Sequence, residues 1–285
     1  MTSRKVAAVI VLVVLTISVP AQVVPNPFFA MDTGTRDPKH QTPEEQVAMI
    51  KSLGFDGVGP SYRGTNDLQH WFAALDRAGS KMFALYVSLQ LDAVEPSLVT
   101  LKEVIAALKG RDTMVWLVIT DKNHPPSASD NDDQAVKVLR EMAGQAQAAG
   151  LRVALYPHAG CYVQRVEDAA RLAEKTGRQN LGVTFNLCHW LKVDGQNLDA
   201  SLKAAQPYLF VVTVNGADRD GKDWNTLIQP LDRGSYDVAQ LLRRLVKMGY
   251  TGPVGLQHFG VNGDAKENLQ RSMTGWRKLC ASVEK

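Results

Sequence analysis

The chain has 285 residues, of which 45% are hydrophobic and 21% charged, with a formal net charge of +3 at pH 7 and three cysteines. This length suits one large domain with a substantial core. The low net charge, without a basic stripe that carries interleaved aromatic residues, argues against nucleic acid as a partner. Three widely spaced cysteines are too few for a disulfide framework or a zinc ribbon.

The first residues predict an export signal. Arg4 and Lys5 precede an uncharged apolar run that ends at the small-residue sequence Val19-Pro20-Ala21. We expect residues 1–21 to be a signal peptide and residues 22–285 to be the mature domain, located in the periplasm or outside the cell. The apolar run is short for a membrane span of about 20 residues, which argues against an anchor. The rest of the sequence has no second apolar run of spanning length, so we expect no membrane contact after cleavage.

The remaining sequence alternates short apolar runs with longer amphipathic segments. Eight strands are predicted, at Phe28–Met31, Gly57–Pro60, Met82–Val87, Met114–Thr120, Val153–Tyr156, Gly182–Asn186, Leu209–Val214 and Val254–Gln257. Eight helices are predicted between and after them, at Pro43–Leu53, Asp67–Ala78, Pro96–Leu108, Gln134–Ala149, Val166–Thr176, Asp199–Ala205, Val238–Met248 and Lys266–Ser282. This alternation predicts an α/β protein with a single (β/α)8 barrel, in which parallel strands close on themselves.

Polar and aromatic residues gather at or after the carboxyl ends of the predicted strands, which share the face where barrel enzymes build their sites. The candidates are Tyr62, Asp121, Tyr156, His158, Asn186, His189, Trp190, Asn215, Trp224, Gln257 and His258. Imidazoles suit proton transfer near neutral pH. Amides, phenols and indoles suit hydrogen bonding to, and stacking on, a sugar ring.

Three stretches carry a resemblance to a known family. They are LRVALYPHAGCYVQRVEDAARLAEKTGRQNLGVTFNLCHWLKVDG, LFVVTVNGAD and PLDRGSYDVAQLLRRLVKMGYTGPVGLQHFG. Together they resemble the second half of the xylose isomerase-like barrels, which include sugar phosphate isomerases/epimerases and inosose dehydratases. LGFDGVGPSY is similar to the first helix-to-strand passage of that family. The resemblance implies a barrel fold and a small-molecule carbohydrate as substrate.

The resemblance also implies a divalent metal such as Mn²⁺ or Mg²⁺. The family holds it with glutamate, aspartate, histidine and glutamate on strands five to eight. The matching positions here are Tyr156, Asn186, Thr213 and Gln257, so all four usual ligands are replaced. Such cations prefer anionic oxygen ligands, and these side chains carry no formal charge. We therefore expect the usual metal to bind weakly or not at all, and the cofactor stays open.

Three interpretations follow from these residues. In the first, an exported isomerase- or epimerase-like enzyme transfers a proton next to a carbonyl group. His158 or His189 is then the general acid/base, with Asp121 as a further candidate, while Tyr156, Asn186, Asn215 and Gln257 hydrogen-bond the developing oxyanion. In the second, His158, His189 and His258 form a new site better suited to Zn²⁺. In the third, the barrel binds a sugar without catalysis, on side chains such as Tyr62, Asn186, Trp190, Trp224 and Gln257.

The sequence does not name the sugar or the oligomeric state. A disulfide between Cys161 and Cys188 also stays open, because it requires a Cα separation of about 4.4 to 6.8 Å.

Overall fold

A computed structural model describes residues 26–283. The predicted signal peptide lies outside the described residues and stays a prediction. The strands are β1 (Phe28–Met31), β2 (Gly57–Gly59), β3 (Lys81–Met82), β4 (Ala84–Gln90), β5 (Met114–Thr120), β6 (Val153–Leu155), β7 (Leu181–Asn186), β8 (Leu209–Val214) and β9 (Val254–Leu256). They form one parallel sheet in the order β3-β2-β1-β9-β8-β7-β6-β5-β4.

The two ends of this sheet belong to one barrel strand that is interrupted at Phe83. β3 pairs with β2, and β4 pairs with β5 on its other side. The amide of Phe83 donates to the carbonyl of Val58 at 2.9 Å, and the amide of Tyr86 donates to the carbonyl of Pro60 at 2.8 Å. These bonds join β4 to the β2 segment. The sheet is therefore a nearly closed barrel, and the predicted (β/α)8 fold is confirmed.

Helices surround the sheet. They are α1 (Pro43–Leu53), α2 (Thr65–Ala78), α3 (Val94–Leu108), α4 (Asp132–Ala148), α5 (Val166–Thr176), α6 (Leu187–Val193), α7 (Leu198–Ala205), α8 (Trp224–Leu227), α9 (Val238–Lys247) and α10 (Ala265–Val283). All eight predicted helices are present within a few residues of their predicted bounds, and α6 and α8 are additional short helices. Among helices of residues 26–283, none is both long and apolar enough to cross a membrane.

Local sequence explains where α1 begins and ends. The hydroxyl of Thr42 accepts from the amide of Glu45, and the carboxylate of Glu45 accepts from the amide of Thr42 at 2.9 Å. This capping box satisfies amides that the first helical turn cannot. Gly54 ends the helix at φ +91°, a left-handed conformation that costs glycine little.

The barrel interior is filled by aromatic side chains. Phe29 is fully buried, and a Cβ at Gly59 or Gly255 would stand 2.8 or 2.6 Å from its ring. Glycine on both neighbouring strands is therefore what makes room for this ring. Above it, Trp116 donates from its indole nitrogen to the hydroxyl of Thr184 at 2.6 Å. The ring of Trp116 also packs edge-on against Tyr156, with ring centres 4.7 Å apart, so this layer supports the side chains at the carboxyl end of the barrel.

Candidate functional site

A cavity of about 310 Å³ opens at the carboxyl end of the barrel. Most of its wall comes from the ends of β1, β2, β6, β7 and β9, from the loops after them and from the loop after β8, while one residue lies within β4. The lining side chains are Met31, Thr33, Ser61, Tyr86, Tyr156, His158, His189, Trp224, Ile228, Gln257 and Phe259. Five of the candidates from the sequence are therefore brought together here, namely Tyr156, His158, His189, Trp224 and Gln257.

Two local structures hold the histidines at the cavity. His158 lies in a tight turn after β6, where its amide donates to the carbonyl of Val163 at 2.9 Å. His189 lies on α6, which starts directly after the last residue of β7. The next residue, Trp190, is buried and donates from its indole nitrogen to Ser201 on α7 at 3.2 Å. This contact anchors α6, so the imidazole of His189 is fixed against the cavity.

The imidazoles of His158 and His189 lie side by side, with their ring centres 4.0 Å apart and their planes tilted by 41°. The backbone of Ala159 contacts both rings. Its carbonyl lies 3.0 Å from Nδ1 of His158, and its amide donates to Nδ1 of His189 at 3.3 Å. A carbonyl only accepts and an amide only donates. Nδ1 of His158 therefore carries a hydrogen and leaves a lone pair on Nε2, whereas neutral His189 carries its hydrogen on Nε2.

Burial keeps this pair uncharged. Desolvation lowers the pKa of His158 below the ordinary value of 6.5, and the Ala159 carbonyl opposes this shift only in part. Desolvation also lowers the pKa of His189 well below 6.5, and the charge of a protonated His158 would lower it further. Both imidazoles are therefore neutral at pH 7, and together they offer one proton acceptor and one proton donor.

Tyr156 and Gln257 form a second polar group in the cavity. The amide oxygen of Gln257 accepts from the hydroxyl of Thr33 at 2.8 Å and from the amide of Phe259 at 3.0 Å. Its nitrogen consequently donates to the hydroxyl of Tyr156 at 3.2 Å. Burial raises the pKa of Tyr156 well above 10, so the hydroxyl keeps its hydrogen. Asn186 is a second side-chain partner of this hydroxyl and, like Gln257, lowers the pKa of Tyr156 in opposition to burial. Both amides therefore act as donors to the phenol oxygen. Among the described residues no acceptor is found for the hydroxyl hydrogen, so Tyr156 can donate it to a bound ligand.

Three other candidates are held by contacts with the protein away from the cavity lining. Nε2 of His258 lies 2.8 Å from the hydroxyl of Ser272 on α10, and burial lowers the pKa of this histidine to about 4. Asn215 donates to the carbonyls of Gly216 and Leu227 at 2.8 and 2.6 Å. The indole nitrogen of Trp190 donates to the hydroxyl of Ser201, as described above. His258 does not line the cavity with His158 and His189, and these three imidazoles are not grouped so that they could hold a metal ion.

Asp121, Tyr62 and Asn186 also lie outside the lining. The carboxylate of Asp121 accepts from the amide of Asn123 at 2.9 Å and from Asn131 at 2.8 Å, and lies 2.8 Å from Nδ1 of His124. The hydroxyl of Tyr62 lies 3.3 Å from Thr65. Asn186 is buried at the end of β7 and accepts from the thiol of Cys188 at 3.2 Å. The Asp121 contacts organise the loop after β5.

Sequence reasoning missed six lining residues. They are Met31, Thr33, Ser61, Tyr86, Ile228 and Phe259. Thr33, Ser61 and Phe259 follow predicted strands closely, so their position was a usable indication. Tyr86 and Ile228 lie within a strand and within a long loop, where the pattern of the sequence does not separate cavity from core.

Comparison with known proteins identifies the family. Residues 47–279 match the model of the xylose isomerase-like TIM barrel. The chain belongs to this family.

Relatives within the family have different named activities. A 3-dehydroshikimate dehydratase from Pseudomonas aeruginosa is 27% identical over 151 residues, which are 52% of this chain and 24% of that protein. A fusion of a xylose isomerase-like TIM barrel with 4-hydroxyphenylpyruvate dioxygenase superposes with a TM-score of 0.72 at 18% identity, over 90% of this chain and 43% of that one. The 3-keto-D-glucoside 4-epimerase of E. coli superposes with a TM-score of 0.71 at 18% identity, over 89% of this chain and 99% of that one.

These matches differ in how much of each relative they cover. The chain spans about a quarter of the length of the curated dehydratase and less than half of the fusion protein. At 18% identity the structural neighbours establish the shared fold, and the activity must be argued from the cavity.

The four positions that the resemblance matches to the family's metal ligands carry no anionic side chain. Asn186 and Thr213 are register partners on β7 and β8, and Tyr156 and Gln257 follow β6 and β9. The set therefore supplies two amides, a phenol and an alcohol, whereas Mg²⁺ and Mn²⁺ prefer anionic oxygens. Within residues 26–283, no group of three or more His, Cys, Asp or Glu side chains is placed to hold a metal ion.

The cysteines near the cavity are thiols in this structure. The thiol of Cys188 is fully buried beside Asn186, and the sulfur of Cys161 lies 3.5 Å from Nδ1 of His158. The two are not joined by a disulfide. Burial raises the pKa of both thiols, which disfavours the thiolate needed for nucleophilic attack.

Proposed function

We propose that this protein transfers a proton at the carbon next to the carbonyl group of a small carbohydrate, without the divalent metal of its family. The observation that carries this proposal is the neutral pair of His158 and His189, whose opposite hydrogen positions are set by the backbone of Ala159. A proton acceptor and a proton donor thus lie side by side in one cavity. Acid–base catalysis needs a group that accepts a proton and a group that donates a hydrogen bond to the substrate, placed close together.

Each polar group has a role in the reaction. Nε2 of His158 takes the proton from the carbon, and the electron pair moves onto the carbonyl oxygen to give an enediolate. Tyr156 donates its hydroxyl hydrogen to that oxygen, as oxyanion-stabilising donors do in other enzymes. Nε2–H of His189 donates to a neighbouring oxygen of the substrate. Gln257 positions Tyr156 by donating to its phenol oxygen, so the hydroxyl hydrogen of Tyr156 is available to the substrate.

Two outcomes are open to the enediolate. Protonation of the opposite face by water, while the imidazolium of His158 releases its proton to solvent, inverts the carbon, which is epimerisation. Departure of the hydroxyl group on the next carbon, protonated by the imidazolium of His158, releases water and leaves His158 neutral again, which is dehydration. The names of the relatives support both outcomes, since one is a dehydratase and another an epimerase of a keto-glucoside.

The proposal includes export. Residues 1–21 have the charge, the apolar run and the small residues of a signal peptide, so we propose that the mature barrel acts on its substrate in the periplasm or outside the cell. Amino-terminal sequencing of the exported protein tests this. A mature chain that starts near residue 22 supports export, and a full-length chain found only in the cytoplasm contradicts it.

Solvent isotope exchange tests the reaction. Purified protein is incubated in D₂O with a panel of aldoses, ketoses and 3-keto-glucosides, and the loss of the proton next to the carbonyl group is followed by ¹H NMR. Parallel samples contain EDTA or Mn²⁺. We expect exchange that is insensitive to both, and that falls at least about a hundredfold in His158→Gln. His70→Gln, on the exposed face of α2, is the matched control and should keep full activity.

Two results would contradict the proposal. Exchange that requires Mn²⁺ would show that the neutral side chains do accept a metal. Binding of sugars without exchange in any member of the panel would favour the alternative function, a catalytically inactive sugar-binding barrel.

A further inference from the structure

The lining of the cavity carries no charge. All eleven side chains are apolar, hydroxyl, amide or imidazole groups. Its two imidazoles are neutral at pH 7 because burial lowers their pKa values. Burial also raises the pKa of Tyr86 and Tyr156, so both phenols are uncharged. An ionised group that enters this cavity loses its hydration without gaining a counter-charge, which is unfavourable.

Two cationic side chains that adjoin the lining residues Ser61 and Trp224 are already engaged. A guanidinium nitrogen of Arg63 lies 3.2 Å from the buried carboxylate of Asp32, which also accepts from the amide and hydroxyl of Ser61 at 3.0 Å. The ammonium of Lys192 donates to the carbonyl of Lys222 at 2.5 Å and lies 5.5 Å from the ring centre of Trp224. Neither side chain lines the cavity. A phosphate or carboxylate group on a substrate would thus find no partner there.

Aromatic and aliphatic groups form part of the wall. Phe259 lines the cavity although its side chain is 58% exposed, which is a large exposed fraction for a phenylalanine. Its backbone amide is held by Gln257, so the ring stands on a fixed segment. Trp224 and Ile228, from the loop after β8, add further apolar surface. Exposed apolar surface of this kind gains free energy when an apolar ligand group covers it.

We infer that the substrate is an uncharged carbohydrate that carries an apolar substituent, with the sugar ring at the histidine pair and the substituent against Phe259. This inference rests on the proposed function, because it names the substrate class of that same cavity. It assigns to Phe259 a role in specificity, outside the proton transfer.

Ligand binding tests the inference with sugars matched in shape and different in charge. Saturation-transfer NMR and calorimetric titration are run with phenyl β-D-glucoside, methyl β-D-glucoside, D-glucose, D-glucose 6-phosphate and D-glucuronate. We expect the phenyl glucoside to bind at least about tenfold more tightly than the methyl glucoside, as is reasonable for burial of an aromatic ring. The phosphate and the carboxylate should bind at least about tenfold more weakly than glucose.

Surface variants separate Phe259 from a general effect. Phe259→Ala should reduce the preference for the phenyl glucoside to less than about twofold. Val99→Ala, which removes another exposed hydrophobic side chain on α3, should leave that preference unchanged. Because Phe259 is exposed, its variant is expected to fold, and a thermal melt checks this.

Each result has a definite reading. The inference is overturned if the phosphate or carboxylate binds as tightly as glucose, if the phenyl and methyl glucosides bind equally, or if none of the neutral sugars binds. Tight binding of neutral sugars without isotope exchange would leave the inference intact and contradict the proposed function. Isotope exchange on fructose 6-phosphate but on no neutral ketose would do the reverse.

Discussion

The buried imidazole of His258 should make the protein less stable in mild acid. Burial lowers its pKa in the folded chain from 6.5 to about 4. The unfolded chain therefore binds more protons between these values, so the free energy of unfolding falls as the pH falls through 6.5 and stops falling below about pH 4. This lowering of the pKa corresponds to about 3 kcal/mol in total, of which roughly 2 kcal/mol is lost between pH 7 and pH 4.5.

The contribution of His258 can be isolated by substitution. His258→Gln removes the titrating group, while other histidines and carboxylates respond to pH alike in both proteins. Urea unfolding is measured at several pH values, and the difference in unfolding free energy between the two proteins is plotted against pH. We expect this difference to shrink by about 2 kcal/mol between pH 7 and pH 4.5. Val99→Ala, which changes an exposed side chain that does not titrate, should give a curve parallel to that of the unsubstituted protein.

A second measurement covers the case in which His258→Gln does not fold. The imidazole of His258 is titrated by NMR in the unsubstituted protein, and its midpoint should lie well below 6.5. A midpoint near 6.5, or a stability difference independent of pH, would refute the reasoning. Such a result would also return His258 to the candidates for contact with a ligand, since its imidazole would then be accessible to water.

Three further predictions concern the cavity. Tyr156→Phe should lower the rate constant of isotope exchange by about 10²-fold and leave sugar affinity within about twofold, because the hydroxyl acts on the developing oxyanion; equal losses in rate and affinity would contradict this role. The exchange rate should be constant above pH 7 and fall in acid with a midpoint below 6.5, since His158 must be neutral and burial lowers its pKa; a midpoint above 6.5 would contradict its assignment as the base. The double substitution Asn186→Asp and Gln257→Glu should create Mn²⁺ binding that calorimetry detects, and absence of binding in a folded variant would count against the alignment of these positions with the family's ligands.

The fold could be predicted from the sequence because the barrel repeats one simple pattern. Apolar strands buried on both faces, such as Met114–Thr120, and amphipathic helices alternate in regular order. The interruption at Phe83 could not be predicted. It depends on how that strand pairs with β2 on one side and β5 on the other, which is a property of the closed sheet.

The site was predictable only in part, for two physical reasons. A position after a strand places a residue on the correct face of the barrel, which located His158 and His189, but it does not determine which way a side chain turns. His258 and Asn215 also follow strands, but His258 contacts Ser272 on α10, and Asn215 donates to two backbone carbonyls. Asn186 and His189 are three residues apart in the sequence, but Asn186 ends β7 and His189 lies on α6. Of the two, only His189 lines the cavity.

Hydrogen bonds between side chains that follow β6 and β9 can keep this part of the cavity rigid without a metal ion. A bound divalent cation orders its ligands by coordination, and its loss would leave carboxylates to repel one another. Here the matching side chains are neutral. Gln257 takes hydrogens from Thr33 and Phe259 and gives one to Tyr156, so hydrogen bonds fix the group instead of a cation. In the proposed reaction no metal ion acts on the oxyanion, and neutral donors stabilise it most strongly where water is excluded. Tyr156 is buried, and Phe259 and Trp224 line the cavity, so a substrate group that covers these aromatic side chains would keep water from the reacting atoms. This argument links the proposed proton transfer to the proposed neutral substrate.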